Sequence, residues 1–357
     1  MSEIEPKLST KSLQTSPKEI PLLFSPRELY CPSREVWESQ AVKRISFLPP
    51  PWKSSYFLLL SGINHACETL YKTPECNHEV KKARSTIAFR DEIRNEEKLN
   101  DYYSQVEIGE VHFSNVKSAF AFKMKERMKG LETIRTEAKW SNMNNVLIAN
   151  AFYMPNRNTI VLPIGLLQEI FFSSGRPNYI NYGSLGSILG HEFTHAFDNA
   201  GSLYDEDGNY RMWWTEQSWK SYKEKTQCFV DQYNEFYEPK VDSLLNGSIT
   251  LGENIADNGG LLAAFSAYQK LLKRIRNEPK LPGLPYSERQ MFWISFASVW
   301  CRKQTDHHLE LTMENSAHAP AKFRVNGALS NIKEFSEDFN CELGSKMNPT
   351  SKCLLWK

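Results

Sequence analysis

The stretch Gly190-His191-Glu192-Phe193-Thr194-His195-Ala196-Phe197-Asp198 constrains this chain more than any other, because it contains a His-Glu-x-x-His unit. On a helix, side chains at i and i+4 lie on one face a turn apart, so His191 and His195 can aim imidazole nitrogens at a single ion. Glu192 projects toward the side where a catalytic zinc keeps an open position, and a carboxylate there can take a proton from a water on the ion. The order reads ligand, base, ligand. Such a short pattern also arises in unrelated helices. Here the partly apolar lead-in Ser184-Leu185-Gly186-Ser187-Ile188-Leu189 places the histidines on a helix with a buried side rather than in a polar loop.

A two-histidine helix needs a third protein ligand, and Leu251-Gly252-Glu253-Asn254-Ile255-Ala256-Asp257-Asn258-Gly259-Gly260 offers one. Glu253 lies 58 residues beyond His195 (253 − 195). On a second helix it completes a His₂Glu set for one zinc ion. Asp257, at i+4 on the same face, can accept the free N–H of a ligating histidine, fixing its tautomer and raising its basicity. Without the histidines upstream, the same stretch reads as an ordinary polar helix start.

At 357 residues the chain is long enough for two domains and a large core. Its net charge of +1, with no long run of one sign, does not point to nucleic acid or an anionic membrane as partner. A hydrophobic content of 41% with 20 Phe and 9 Trp argues a folded globular protein. The longest apolar stretches, such as Tyr56-Phe57-Leu58-Leu59-Leu60, fall far short of the ~20 residues of a membrane span. No membrane span is expected, and Met1 to Pro21 lacks the apolar core of a secretory signal. Cys31, Cys67, Cys76, Cys228, Cys301, Cys341 and Cys353 include no C-x-x-C pair, which disfavours a cysteine zinc site. Composition leaves their oxidation state open.

Prolines 6, 17, 21, 26, 32 and 49–51 predict a loosely structured extension over residues 1–75, with one short helix near Arg34 to Val42. From Glu79 to about Arg135 the chain is helical in character, and its charge-dense runs are solvated faces. Val146 to Tyr153 and Thr159 to Leu162 flank the turn-rich Met154-Pro155-Asn156-Arg157-Asn158, which predicts a hairpin; a structural hairpin and a substrate-holding edge fit the pattern equally. Asp205-Glu206-Asp207-Gly208-Asn209 lacks the glutamate that closes an EF-hand and reads as a solvated turn. Trp213-Trp214-Thr215 opens a helix running towards Tyr233. His318 and Arg324 stand six apart in a loop. A His donor there suits a developing oxyanion and an Arg suits a substrate carbonyl, although by themselves the pair read as surface residues, like His307 and His308.

Taken together, these stretches resemble the neprilysin family of zinc peptidases, which includes the endothelin-converting enzymes. The resemblance runs from Lys98-Leu99-Asn100-Asp101-Tyr102-Tyr103 to Cys353-Leu354-Leu355-Trp356. Asn150-Ala151-Phe152-Tyr153, the zinc motif, Gly252-Glu253-Asn254-Ile255-Ala256-Asp257 and Phe323-Arg324 occur in the family's order. It implies a mainly α fold with a small β-sheet, a thermolysin-like zincin catalytic domain over residues 141–357 and a helical connecting segment over 76–140. The implied activity is zinc-dependent endopeptidase cleavage of peptides on the amino side of hydrophobic residues. One zinc ion would sit on His191, His195 and Glu253, with Glu192 as base, Asp257 supporting a ligand and His318 stabilising the transition state. Asn150, the Ala151 main chain and Arg324 would hold the substrate backbone, in an edge-strand mode. Leu166, Phe171, Ile188, Val299 and Trp300 match the pocket for the residue after the scissile bond.

The family also pairs the cysteines matching Cys228 and Cys353, which implies an extracellular or cell-surface setting. Asn246-Gly247-Ser248 is a glycosylation acceptor consistent with it. Family members carry a membrane anchor and a large helical domain closing over the cleft, and residues 1–75 match neither. The partners of Cys301 and Cys341 would belong to the missing part. The alternative expectation is therefore an inactive zinc-binding fragment that lacks the closing domain and acts as an interaction protein.

Overall fold

In the computed structural model, which describes residues 84–88, 95–129, 147–275 and 278–355, the chain is mainly helical with a small sheet. The expectations for residues 1–75, including the helix at 34–42, and for Cys31, Cys67 and Cys76 lie outside the described residues. The order begins with β1 (Arg84–Ala88), α1 (Glu96–Tyr103), α2 (His112–Lys129), β2 (Phe152–Met154) and β3 (Thr159–Pro163). Next, α3 (Asn178–Asn181) runs through a π-helical turn (Tyr182–Gly186) into α4 (Ser187–Thr194). Then come α5 (Glu216–Asn234), the hairpin of β4 (Tyr237–Glu238) and β5 (Ser243–Leu244), and α6 (Leu251–Leu272). The last four are α7 (Glu288–Val299), α8 (Asp306–Asn315), α9 (Ala321–Ser330) and α10 (Lys333–Asp338). No helix among the described residues is long and apolar enough to cross a membrane.

Residues 84–88 depart from the helix expected over 79–135. They pair in parallel with β3 from Arg84↔Thr159 to Ala88↔Pro163. Thr86 and Ile87 are β-branched, and a distant partner strand overrides the helical character around them. The predicted hairpin forms, with Phe152↔Val161, Tyr153↔Ile160 and Met154↔Thr159 opposed. Its turn is a 3₁₀ segment closed by Asn158 in the left-handed region (φ 44°), a conformation asparagine tolerates. The first arm is shorter than expected, confined to Phe152–Met154 opposite Thr159–Val161. The strand order β1-β3-β2 leaves β2 on the edge.

Helix ends follow side-chain chemistry. Thr215 accepts from the Ser218 N–H to start α5, where Trp213-Trp214-Thr215 predicts it. Ser287 and Gln290 form a capping box at α7. Helix α6 is buried on nearly every face and divides two apolar clusters. Leu261, Ala264, Phe265 and Tyr268 pack with Leu189, Phe193 and the α7 aromatics Phe292, Trp293 and Phe296. Ile255 packs on the other side with Tyr222, Phe229, Phe323 and Cys353. Cys353 is bonded to Cys228, with Cα atoms 5.6 Å apart across 125 residues of chain. Cys301 is disulfide-bonded as well, departing from the expectation that its partner is missing, and Cys341 keeps its thiol.

Candidate metal centre and active site

Helices α4 and α6 cross at glycine. A β-carbon on Gly190 would fall inside the Gly260 carbonyl, and one on Gly260 would fall on the backbone of His191. Only residues without a Cβ allow this approach. It sets the His191 face of α4 against the Glu253 and Asp257 face of α6. His195 then begins a 3₁₀ turn (His195–Phe197) that carries the chain round to Asp198.

Three ligand atoms converge: one each from His191, His195 and Glu253 lie within 4.8 Å of one another. His191 Nε2 is 2.9 Å from His195 Nε2 and 3.3 Å from Glu253 Oε2, and His195 Nε2 is 3.7 Å from Glu253 Oε1. The other ring nitrogens are committed. His191 Nδ1 donates to Asp257 Oδ1 at 2.8 Å, and His195 Nδ1 donates to Asp198 Oδ2 at 2.6 Å. Carboxylates only accept, so each neutral ring presents a lone pair at Nε2. Two lone pairs facing each other beside a carboxylate call for a cation, and the donor set of two imidazoles and one glutamate is that of a catalytic zinc.

A proton is drawn to the same place and competes with an ion there, since only the neutral rings can hold one. Burial opposes charge on His191, yet hydrogen bonds to Asp257 and Glu253 outweigh it and push the ring up to about 10. Burial would raise the Glu253 carboxyl, but hydrogen bonds from His191 and His318 hold it well below the usual carboxylate range. Asp257 is likewise held low, against burial, chiefly by the charge of Arg324. The pocket thus favours positive charge where the three ligands meet. Glu192 differs: it is 6% exposed, and burial raises its carboxyl despite the two neighbouring histidines. A carboxylate desolvated in this way is a stronger base.

The structure separates the two residues that read as a surface pair. His318 is exposed in a loop and places Nε2 3.1 Å from Glu253 Oε2. Arg324 lies on α9 and is only 6% exposed. Its Nε and Nη2 fork onto Asp257 at 2.6 and 2.7 Å, Nη2 reaches towards Glu253 at 3.4 Å, and the guanidinium stacks on Trp300 at 3.9 Å. Both the loop and the surface assignments fail for Arg324, because buried Asp257 needs a countercharge. Nη1 is the guanidinium nitrogen that makes none of these bonds.

Asn150 is exposed just ahead of β2, and Ala151 is buried. Leu166 sits in a 3₁₀ turn after β3 and is buried, while Phe171, Ile188 and Trp300 pack half-buried against the same cluster. Val299 ends α7 half-buried and outside that cluster. His307 and His308 are exposed, as expected. The 205–209 turn differs from expectation, since Asp205 is 4% exposed and accepts from the N–H groups of Asp207 and Asn209 and from Arg211. Asp198 was not singled out from the sequence. Its signal was its place three residues after His195, and the structure fixes its second oxygen on the Ala200 and Gly201 N–H groups at 2.7 and 2.6 Å.

Comparison with known proteins agrees with this geometry. An endothelin-converting enzyme homolog of Locusta migratoria is 45% identical over 272 residues, covering 76% of this chain and 37% of its own length. Human neprilysin is 40% identical over 276 residues, covering 76% of this chain and 36% of its own. The crystal structure of a Mycobacterium tuberculosis zinc metalloprotease in complex with inhibitor matches with a TM-score of 0.69 at 25% identity, over 86% of this chain and 46% of that one. The chain spans little more than a third of the length of the curated relatives it matches. The model of peptidase family M13 matches residues 150–355, more than half of the chain, and this protein therefore belongs to peptidase family M13.

Proposed function

We propose that this chain is a zinc-dependent endopeptidase that cuts peptides on the amino side of hydrophobic residues. The observation that carries the reading is the convergence of His191 Nε2, His195 Nε2 and Glu253 next to the buried carboxylate of Glu192. When bound there, zinc acidifies a water and polarises the scissile carbonyl. Glu192 takes the proton of the attacking water and passes it to the leaving amine. His318, on the exposed side of Glu253, donates Nε2–H to the oxygen that gains charge. Asp257 and Asp198 hold the two imidazoles in the tautomer that presents Nε2.

Edge strand β2 supports extended pairing with a substrate backbone through the Ala151 main chain, with Asn150 at its start. Arg324, locked by Asp257 and Trp300, offers Nη1 to a substrate carbonyl. Leu166, Phe171, Ile188, Val299 and Trp300 would wall the pocket for the following hydrophobic side chain. Residues 141–357 form the catalytic domain in this reading, with 76–140 as the connecting segment. The Cys228–Cys353 bond supports an extracellular or cell-surface setting, since it persists under oxidising conditions.

A quenched fluorescent peptide with Phe or Leu after the scissile bond tests the proposal. Turnover abolished by a chelator and restored by zinc, with the cut mapped before the hydrophobic residue, is the expected result. A zinc-loaded chain that leaves the peptide intact would replace this reading with the inactive zinc-binding fragment.

A further inference from the structure

Residues 167–177, between the buried Leu166 and α3, contain neither strand nor α-helix, yet they carry Phe171 to the same apolar cluster as Ile188 of α4 and Trp300. A loop of this kind sits at the low-stability end of a fold unless something fastens it. Here the fastening is polar, and it runs to the helix that leads into the metal ligands. The Phe171 carbonyl accepts from the Leu185 N–H at 3.2 Å, and the Ser184 hydroxyl lies 2.6 Å from it. Both partners stand in the π-helical turn (Tyr182–Gly186), a form of turn frequent at functional sites. Leu185 precedes His191 by six residues (191 − 185).

Arg176 closes the tie with all three guanidinium nitrogens. Nε donates to Asn181 Oδ1 at 2.7 Å, Nη1 to the Glu169 carbonyl at 2.5 Å and Nη2 to Ser184 Oγ at 2.8 Å. Asn181 in turn brackets the loop, accepting from the Ser173 N–H at 3.1 Å and donating to the Ser173 carbonyl at 2.9 Å. Asn181 and Ser184 are buried, so the far ends of the tie belong to the core. Burial lowers the guanidinium to about 10, a sign that the fork is partly shut off from water. A planar guanidinium spans three acceptors in fixed directions, whereas a lysine offers one nitrogen.

We propose that Arg176 sets the selectivity of the pocket for the residue after the scissile bond, by fixing the Phe171 wall to the helix that carries His191 and His195. The inference rests on the peptidase reading. With the wall at a fixed distance from the metal ligands, a large apolar side chain of the substrate packs against Phe171, and a methyl group does not reach it. Released from Arg176, the loop lets Phe171 draw back, and the large side chain loses that contact. Arg176 is therefore a positioning residue, acting through Phe171.

Two peptides that differ only in Phe or Ala after the scissile bond test this on the zinc-loaded parent, Arg176→Met and Arg176→Lys. The ratio of kcat/KM for Phe over Ala should fall by ~10-fold in both variants, the discrimination that a methylene or two gives in an apolar pocket. The change should sit in the KM of the Phe peptide with kcat held, the sign of lost uniform binding. Ser184→Ala cuts the tie from its buried end and carries the same test if urea denaturation shows the Arg176 variants to be poorly folded. In a Phe171→Ala background, Arg176→Met should change the ratio no further. Hydrogen exchange over residues 168–176 should quicken in Arg176→Met without zinc as well as with it. A parental ratio in any of the three single variants overturns the inference, as does a further fall in the Phe171→Ala background or unchanged hydrogen exchange. A parent that cleaves neither peptide overturns the peptidase reading on which it rests.

Discussion

Substituting Gly260 with alanine should damage the metal site far more than the fold. The added methyl group falls on the backbone of Gly190 and His191, which has no rotamer to turn aside. To restore van der Waals contact, α4 and α6 must part by about 1 Å in an interior packed as densely as a crystal. Overpacking of this kind costs about 1–3 kcal/mol. The gain of helix propensity from Gly to Ala returns about 1 kcal/mol. The net loss of stability is therefore about 0–2 kcal/mol, within reach of a folded protein. The same shift carries His191 away from Glu253 and Asp257, and a displacement of ~1 Å at a reacting centre lowers turnover by ~10²-fold. Urea denaturation, chelator competition for zinc and peptide turnover measured on one preparation separate these effects. Gly175→Ala is the control, since nothing lies within 4 Å of the added carbon there. A Gly260→Ala chain with parental zinc affinity and turnover would refute the glycine crossing as the device that assembles the ligands.

Other consequences are equally open to measurement. Asp198→Asn should weaken zinc binding by ~10–100-fold in chelator competition with the far-ultraviolet spectrum unchanged, because it removes the carboxylate that orients His195. Reducing Cys228–Cys353 should lower stability by ~4–5 kcal/mol in the chain-entropy model, read as a fall in urea midpoint, because the bond closes a 125-residue separation. Burial opposes the charge of Asp205, but bonds from Arg211, Asn209 and Asp207 outweigh it and lower its pKa. A depressed folded pKa gives stability that is present above the unfolded value of about 3.9 and lost as pH falls through the folded value. The advantage of the parent over Asp205→Asn in urea midpoint should then hold at neutral pH and shrink in acid; a constant difference would contradict it.

What the sequence disclosed was chiefly what is local. His191 and His195 need only helical spacing to share an ion, and Thr215 and Asn158 mark their helix start and turn through their own side-chain chemistry. The fate of Arg324 was hidden, because its burial depends on Asp257 from α6 and Trp300 after α7, and no spacing within 315–324 encodes either neighbour. Strand β1 was hidden for the same reason: its partner β3 begins 75 residues away (159 − 84). Asp198 stood in the motif throughout, but its role depends on a 3₁₀ turn that returns it to the His195 ring. Glu253 was legible because two histidines on one helix call for a third protein ligand, whereas the Gly190–Gly260 contact that brings it to them is a property of packing alone.

X-ray absorption at the zinc edge of the zinc-loaded chain tests the central claim most directly. The account predicts a first shell of two imidazole nitrogens at ~2.0–2.1 Å and oxygen donors at ~2.0–2.2 Å from Glu253 and solvent, without sulfur. Glu253→Ala should lose one of those oxygens or the metal altogether. A shell containing sulfur at ~2.3 Å, or one unchanged by both His191→Ala and Glu253→Ala, would contradict it.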